Sequence, residues 1–271
     1  MKTSIASFEE DFFHSPETYI HPSAIVGADV VLEAGAKIGA YAVIVGKVHI
    51  GENSRIYPHV SIGFPAEDVN TKKPLGSVRI GKNCEIRELA TIGASKYPTG
   101  ATIIGDNAYI MHYCHVAHDV TLEKNVILIN NVQLGGHTYI EHHAFLMANS
   151  ATHQNTRVGQ YTALAPFSGI RQDIPPFCIM NGTPAEFAGL NIVGLRRAGF
   201  TSTNLQAIKK ITHLFYQQKL PLDALIQNVQ SDPVLAQDTA VEHFLHFIKN
   251  SQRGVSRRSA INSSVSFEAG L

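Results

Sequence analysis

The chain has no tryptophan, three cysteines in 271 residues and a charged fraction of 16%, against roughly 25% in ordinary globular proteins. Each scarcity excludes something. Cys84, Cys114 and Cys178 are far apart and odd in number, so no disulfide framework is expected and a reducing, cytoplasmic compartment fits. Lys plus Arg and Asp plus Glu both number 22. Without a basic excess there is no footprint for nucleic acid and no polybasic membrane anchor. No apolar run reaches the roughly 18 residues of a membrane span. The acidic opening "MKTSIASFEEDFFHSPETYI" lacks the apolar core of a secretory signal. Much of the chain therefore reads as an uncharged scaffold.

What the chain does have is an aliphatic beat. Every sixth residue from Ile20 reads Ile20, Val26, Leu32, Ile38, Ile44, Ile50, Ile56 and Ile62. The same register resumes with Ile80, Ile86 and Ile92, then runs from Ile104 through Val116, Leu122, Leu128 and Leu134 to Leu146. Four positions after many beats stands a small residue, among them Ala36, Ser54, Cys84, Ala108 and Cys114, and glycine often follows the beat directly, as at Gly39, Gly51 and Gly105. Neither a helix nor an ordinary alternating strand keeps a phase of six. A parallel β-helix does, because three flat faces of six residues make one 18-residue coil with the beat inside. The small residue is expected near a corner, and glycine where the chain turns.

The fold class expected is an all-β solenoid with a C-terminal α-helical domain. Two intervals leave the beat, 64–79 and 93–103, and are expected to bulge as loops, which on a rigid scaffold tend to carry function. After Ile170 the proline-rich "RQDIPPFCIMNGTPAEF" leads out of the coil. Helical periodicity follows in "NLQAIKKITHLFYQQ", behind a Ser202-Thr203 cap, then in "PLDALIQNVQ" and "TAVEHFLHFIKN". The organisation predicted is an N-terminal extension over 1–19, a β-helix over 20–185, a helical domain over 186–250 covering the open solenoid end, and a mobile polar tail over 251–271.

Seven of the 14 histidines lie between His112 and His153. Residues 18 apart stack on neighbouring coils, which puts His118 in one column with Gly136 and Gln154, and Asp119 in the next with His137 and Asn155. Three readings compete. Histidines on a β-helix face are commonly solvated, and His142 and His143 are assigned so. The spacing of His112, His115 and His118 suggests zinc, but its members fall on differently oriented positions, which strains a single-subunit site. The third reading is general base catalysis, since imidazole titrates near neutrality and takes a hydroxyl proton without a metal. Asp119 would then set the tautomer, although adjacent side chains seldom meet, and Gly136 would offer an N–H to a developing oxyanion.

Taken together, "HVAHD", "GGH", "HQ", "QDIPPF" and "NIVGLRRAGF" resemble the acyl-[acyl-carrier-protein]–UDP-N-acetylglucosamine O-acyltransferase family, which starts lipid A synthesis, from about Ile20 to Phe200. The resemblance implies a left-handed β-helix, an exception to the usual crossover rule, assembled as a homotrimer with sites between subunits. It implies acyl carrier protein and UDP-N-acetylglucosamine as partners. Neither a metal nor an organic cofactor is implied, because the thioester is already activated. By motif position His118 corresponds to the base that deprotonates the sugar 3-hydroxyl, Asp119 to its supporting carboxylate and Gly136 to the oxyanion donor. His115, His137, His153 and Gln154 fall where the family lines the nucleotide-sugar and acyl groove, and Asp68 where it holds the sugar. Asn191 and Arg197 match nucleotide contacts, and Pro166 stands near the end of the acyl groove. Three positions depart from the family: Val193 replaces a usual Glu, Asn70 a usual Lys two residues after Asp68, and Pro166 a Gly or larger apolar residue. The alternatives are a related acyltransferase with another nucleotide sugar or donor, and a non-catalytic hexapeptide scaffold. Survival of His118, Asp119 and Gly136 together favours an enzyme.

Overall fold

The aliphatic beat closes a three-sided prism. In a computed structural model describing residue 12 and residues 15–257, three sheets of ten, eight and seven strands form its faces. Most strands are two residues long, such as Lys37–Ile38, Val43–Ile44 and Arg55–Ile56, with the beat residue inward and its predecessor outward. Ile38, Ile44, Ile50, Ile56 and Ile62 are wholly buried. Each such side chain contributes about 1.5–3 kcal/mol of burial. Coils pair in parallel and in phase, Ile38 against Ile56 and Ile110 against Leu128, so aliphatic side chains stack on one another except at Thr152, between Leu134 and Ile170.

The corners correct one expectation. Glycine makes few of the turns, Gly35 (φ 73°) being one. At most corners the residue three after the beat takes left-handed backbone angles, as at Asn53 (φ 57°), Asn107 (57°), Asp119 (59°), Asn131 (61°) and His137 (58°). Asparagine and aspartate tolerate this region best among residues with a Cβ. Glycine directly after the beat answers a different need, close approach of the next coil. A Cβ on Gly39 would lie 2.8 Å from Pro58 N, and one on Gly105 would lie 2.5 Å from the Glu123 carbonyl carbon.

The two off-beat intervals are shorter than the sequence suggested. Ser77–Ile80 and Ala101–Ile104 are strands of the third sheet, paired with each other, so the loops proper run 65–76 and 94–100. Both leave the second sheet, after Ser61–Phe64 and Thr91–Gly93, and both emerge at the corner between the second and third faces.

The helical part also begins later than 186. Cys178–Gly182 and Ala185–Leu190 form an antiparallel hairpin that finishes the first sheet; the edge there is closed by a strand, not by helices. Among the described residues five helices follow: α1 (Ile192–Arg197), α2 (Ser202–Tyr216), α3 (Leu222–Gln230), α4 (Pro233–Ala236) and α5 (Thr239–Lys249). The cap of α2 is Thr201, one residue before the predicted pair. Its Oγ1 accepts from Asn204 N at 3.2 Å, while Asn204 Oδ1 accepts from Thr201 N at 3.1 Å, a capping box. The helices dock through aromatics and one ion pair: Tyr216 stacks on Phe187 at 4.0 Å, Arg157 lies over Phe247 at 4.3 Å, and His243 Nε2 meets Glu141 at 2.8 Å.

The segment expected to be mobile from 251 is tied down as far as 257. Asp173 N donates to Gly254 O and Ser256 N to Asp173 O, both at 2.9 Å, and Ser251 Oγ donates to the Asp173 carboxylate at 2.7 Å. Polar composition misled here because backbone pairing and a buried carboxylate supply the order. Residues 258–271, and most of the extension over 1–19, lie outside the described residues. Among the described residues, no helix is long and apolar enough to cross a membrane.

Candidate active site

One corner of the prism collects the chemistry. On successive coils, the turn between the second and third faces carries loop 65–76, loop 94–100, then His118 and Asp119, then Gly136 and His137, then Gln154 and Asn155. The stacking anticipated from the period of 18 is explicit in the backbone: His137 N donates to His118 O at 3.1 Å and Asn155 N to Gly136 O at 2.9 Å.

His118 and Asp119 do meet, contrary to the expectation for sequence neighbours. His118 Nδ1 lies 2.9 Å from Asp119 Oδ2, because the left-handed backbone at Asp119 swings its side chain back across the corner. A carboxylate only accepts, so Nδ1 carries the proton and Nε2 presents its lone pair. Both side chains are about one-tenth exposed. Asp119 is held in turn by the Ser95 hydroxyl and by Lys96 N at 3.3 Å. His137 stands edge-on to His118 at 5.1 Å. Its basicity is lowered, first by burial and then by the nearby His118 and Lys96, against the opposing charge of Asp119.

Gly136 closes the other side of the imidazole. A Cβ there would lie 2.7 Å from both His118 Cε1 and Nε2, so only glycine lets the ring sit where it does. Its N–H donates to no protein acceptor among the described residues. At equivalent corners the same amide is capped by a glutamate 19 residues earlier, Glu123 for His142 and Glu141 for Gln160, each at 2.9 Å. The residue 19 before Gly136 is Ala117. The amide is left open.

The loops complete the corner. Asp68 Oδ1 accepts from Asn70 N at 2.8 Å and its Oδ2 from Lys96 Nζ at 2.9 Å, and these bonds, the backbone one first, hold the carboxyl down at about 2. The cation on Asp68 therefore comes from the other loop, as Lys96. His115, on the second face, bonds Thr91 Oγ1 through Nδ1 at 2.7 Å. A pocket of about 300 Å³ opens beside this corner, lined by Phe64, Glu67, Ile92, His115, Ala117 and His118. His153 and Gln154 stand one coil beyond Gly136, His153 exposed with its Nδ1 3.1 Å from Gln154 O.

Three expected residues stand apart. Asn191, Val193 and Arg197 line a second cleft, of about 530 Å³, against the first face at Ile127, Phe145 and Tyr161, and it shares no lining residue with the His118 pocket. Asn191 caps α1 through Gly194 N at 3.0 Å and donates to Tyr161 O at 2.8 Å. Pro166 is exposed at the corner between the first and second faces. Register pairs put it three coils beyond His118, about 14 Å along the axis at the usual strand spacing.

Sequence reasoning missed Ser95, Lys96 and Thr102, which hold Asp119 and Asp68; only the bulging of their segment hinted at them. His142 and His143, assigned to a solvated face, are half-buried and partnered. His143 stacks on Tyr161 at 4.7 Å and meets His142 Nδ1 to Nδ1 at 2.9 Å, and burial lowers the basicity of both. The three histidines at metal-like spacing take separate partners: Glu88 for His112 at 2.9 Å, Thr91 for His115 and Asp119 for His118. His118, Asp119 and His137 place ligand atoms within 4.8 Å of one another, with His118 Nδ1 2.9 Å and His137 Nε2 3.9 Å from the same Asp119 Oδ2. The three cysteines are free and buried.

A hexapeptide coil carrying a carboxylate-backed histidine beside an open backbone amide is the arrangement of an acyltransferase of the β-helix class. Residues 29–63 and 101–136 match the model for bacterial transferase hexapeptide repeats, and residues 173–256 match the second domain of UDP-N-acetylglucosamine O-acyltransferase. The chain is 38% identical to the acyl-[acyl-carrier-protein]–UDP-N-acetylglucosamine O-acyltransferase of Thermodesulfovibrio yellowstonii, over 94% of this chain and 98% of that one. It is 34% identical to that of Neisseria gonorrhoeae, over 89% and 100%. Among solved structures, the UDP-N-acetylglucosamine acyltransferase of Francisella novicida superposes with a TM-score of 0.80 at 31% identity, covering 93% of this chain and 98% of that one. The one from Bacteroides fragilis gives 0.78 at 32%, covering 90% and 99%. The chain belongs to the acyl-[acyl-carrier-protein]–UDP-N-acetylglucosamine O-acyltransferase family, and its coil is the left-handed parallel β-helix.

Proposed function

We propose that this enzyme transfers a (3-hydroxy)acyl chain from acyl carrier protein to the 3-hydroxyl of UDP-N-acetylglucosamine, the first step of lipid A biosynthesis, with His118 as general base. His118 Nε2 takes the hydroxyl proton as the sugar oxygen attacks the thioester carbonyl. Asp119 holds the imidazole tautomer and stabilises the imidazolium. The developing oxyanion accepts from Gly136 N–H. Collapse of the tetrahedral intermediate expels the carrier thiolate, which recovers the proton from His118. The observation that carries this reading is the 2.9 Å His118–Asp119 bond beside a glycine amide with no protein acceptor. The thioester supplies the activation, so the step needs neither a metal nor an organic cofactor. Asp68, His115, His137, His153 and Gln154 line the path of the sugar and acyl chain, and Pro166 marks the far end of the acyl groove. Both substrates belong to the cytoplasm, which suits three free cysteines.

The two clefts of one chain argue for a trimer. The His118 pocket is on the second face and the Asn191–Arg197 cleft on the first, so each needs the other from a neighbouring copy. A head-to-tail contact between unlike surfaces forms a ring where its rotation closes, and a ring of three is the assembly that the family resemblance implies. Ile127 and Phe145, half-buried on the first face beside that cleft, suit that contact.

The test is turnover with acyl carrier protein thioester and UDP-N-acetylglucosamine. His118→Ala should lower kcat by about 10²–10⁴ with the assembly intact. Refolding a mixture of His118→Ala and Arg197→Ala subunits should restore activity, since some sites in mixed trimers receive both intact halves. Wild-type turnover in assembled His118→Ala refutes the base, and no recovery in the mixture refutes the shared site.

A further inference from the structure

The loop 94–100 makes contacts that proton transfer and oxyanion binding leave unexplained. Ser95 is fully buried, and its hydroxyl donates to Asp119 Oδ1. Lys96 N reaches the other carboxylate oxygen at 3.3 Å. Asp119 N donates to the buried Thr102 Oγ1 at 2.9 Å. Space has been kept for this hydroxyl from both loops: a Cβ on Gly100 would lie 2.2 Å from Ser95 Oγ, and one on Gly76 would lie 2.8 Å from Ser95 Cβ. Ser95 is too enclosed to serve as a substrate contact, and its one side-chain partner other than backbone is the carboxylate that backs His118.

A carboxylate bonded to imidazole by one oxygen can turn about its own axis and release Nδ1. The Ser95 hydroxyl on the second oxygen removes that freedom. We propose that Ser95 is a positioning residue for acyl transfer, pinning Asp119 so that the carboxylate keeps His118 with its proton on Nδ1 and Nε2 free to act as base. The proposal rests on His118 being that base. A second consequence follows from charge. The Ser95 hydroxyl draws negative charge toward itself and away from the imidazole, so its loss lets Asp119 favour the imidazolium more strongly. The groups facing His118 are Asp119 from its own corner and His137 from the next coil, with His115 and Glu67 across the pocket and Lys96 and Asp68 from the loops. Replacing Ser95 alters none of their charges, so any shift reports on Asp119.

The experiment compares wild type, Ser95→Ala and Ser95→Cys in steady-state assays across pH 5–9, with the assembly checked by light scattering. Ser95→Ala should lower kcat about tenfold, the size of one charge-assisted hydrogen bond, and leave the sugar-nucleotide KM within about twofold. The acid limb of kcat/KM should move up by about half to one pH unit. Ser95→Cys, of similar shape with a weaker donor, should fall between. A merely structural serine would reduce the active fraction without moving the limb. An unmoved limb in both variants overturns the proposal, and Ser95→Cys decides alone if Ser95→Ala does not assemble. Wild-type turnover in His118→Ala would instead overturn the general base itself.

Discussion

Adding one methyl group at Gly136 tests the site at its tightest point. The alanine Cβ would lie 2.7 Å from two atoms of the His118 ring, whereas ordinary carbon contacts sit near 3.5 Å. The ring must therefore retreat by about 0.8 Å. It cannot do so freely, because Nδ1 is bound to Asp119 at 2.9 Å and His137 stands edge-on at 5.1 Å. Misplacing a catalytic group by about 1 Å typically costs on the order of 10²-fold, about 2.7 kcal/mol of transition-state stabilisation. The open N–H survives the substitution, so the loss falls on the base. Gly136 has no left-handed φ, so alanine is tolerated by the backbone. Overpacking of about 1–3 kcal/mol is partly offset by the reduced freedom of the unfolded chain, about 0.4–1 kcal/mol. The assay is steady-state acyl transfer with thermal unfolding in parallel, in wild-type and His118→Ala backgrounds. Gly136→Ala should lower kcat about 10²-fold in the wild type. In His118→Ala, where the ring is gone, the same methyl group should leave both residual rate and stability unchanged or improved, giving a clear coupling term. Near-normal kcat for Gly136→Ala, or equal losses in both backgrounds, would refute the tight ring–glycine contact.

Val193 lines the second cleft beside Asn191 and Arg197 and is 40% exposed. Val193→Glu should lower the sugar-nucleotide KM by up to about tenfold at unchanged kcat, the gain of one acceptor remote from the reaction, and loss of activity would point to another substrate. The Asp68 carboxyl, lowered from 3.8 to about 2, contributes stability that is present above its unfolded value and lost as pH falls through about 2. A carbon-13 titration should therefore find Asp68 ionised at pH 3.5, and Lys96→Met should raise its midpoint only in part, because the Asn70 amide is the larger cause; a midpoint near 4 in the wild type would contradict these two bonds to the carboxylate. Ser150 Oγ is buried with no hydrogen-bond partner, and leaving such a group unpaired costs about 1–3 kcal/mol. Ser150→Ala should raise the unfolding midpoint by up to a few degrees, whereas a clear fall would reveal an acceptor for the hydroxyl.

The sequence by itself determined the coil and most of the catalytic corner. Inside a β-helix, position in space is a periodic function of residue number, so His118 above Gly136 and Asp119 above His137 follow from a separation of 18 alone. The same arithmetic fails wherever the chain leaves the period. Ser95 and Lys96 lie in a loop whose path depends on Gly76 and Gly100 making room for it, and nothing in their spacing points to Asp119 or Asp68. The meeting of His118 with Asp119 depended on a positive φ that periodicity does not encode. Glycine after the beat looked like a turning residue until the distance to the next coil showed a backbone passing too close for a Cβ. The resemblance put Asn191 and Arg197 with the nucleotide, but only the tertiary structure put them on a different face from His118. That separation comes from the hairpin after Cys178, which ends the first sheet and sends α1 over that face rather than the next. Local repeats fix what lies one coil away; loops, exits and faces are set by packing between segments far apart in the chain.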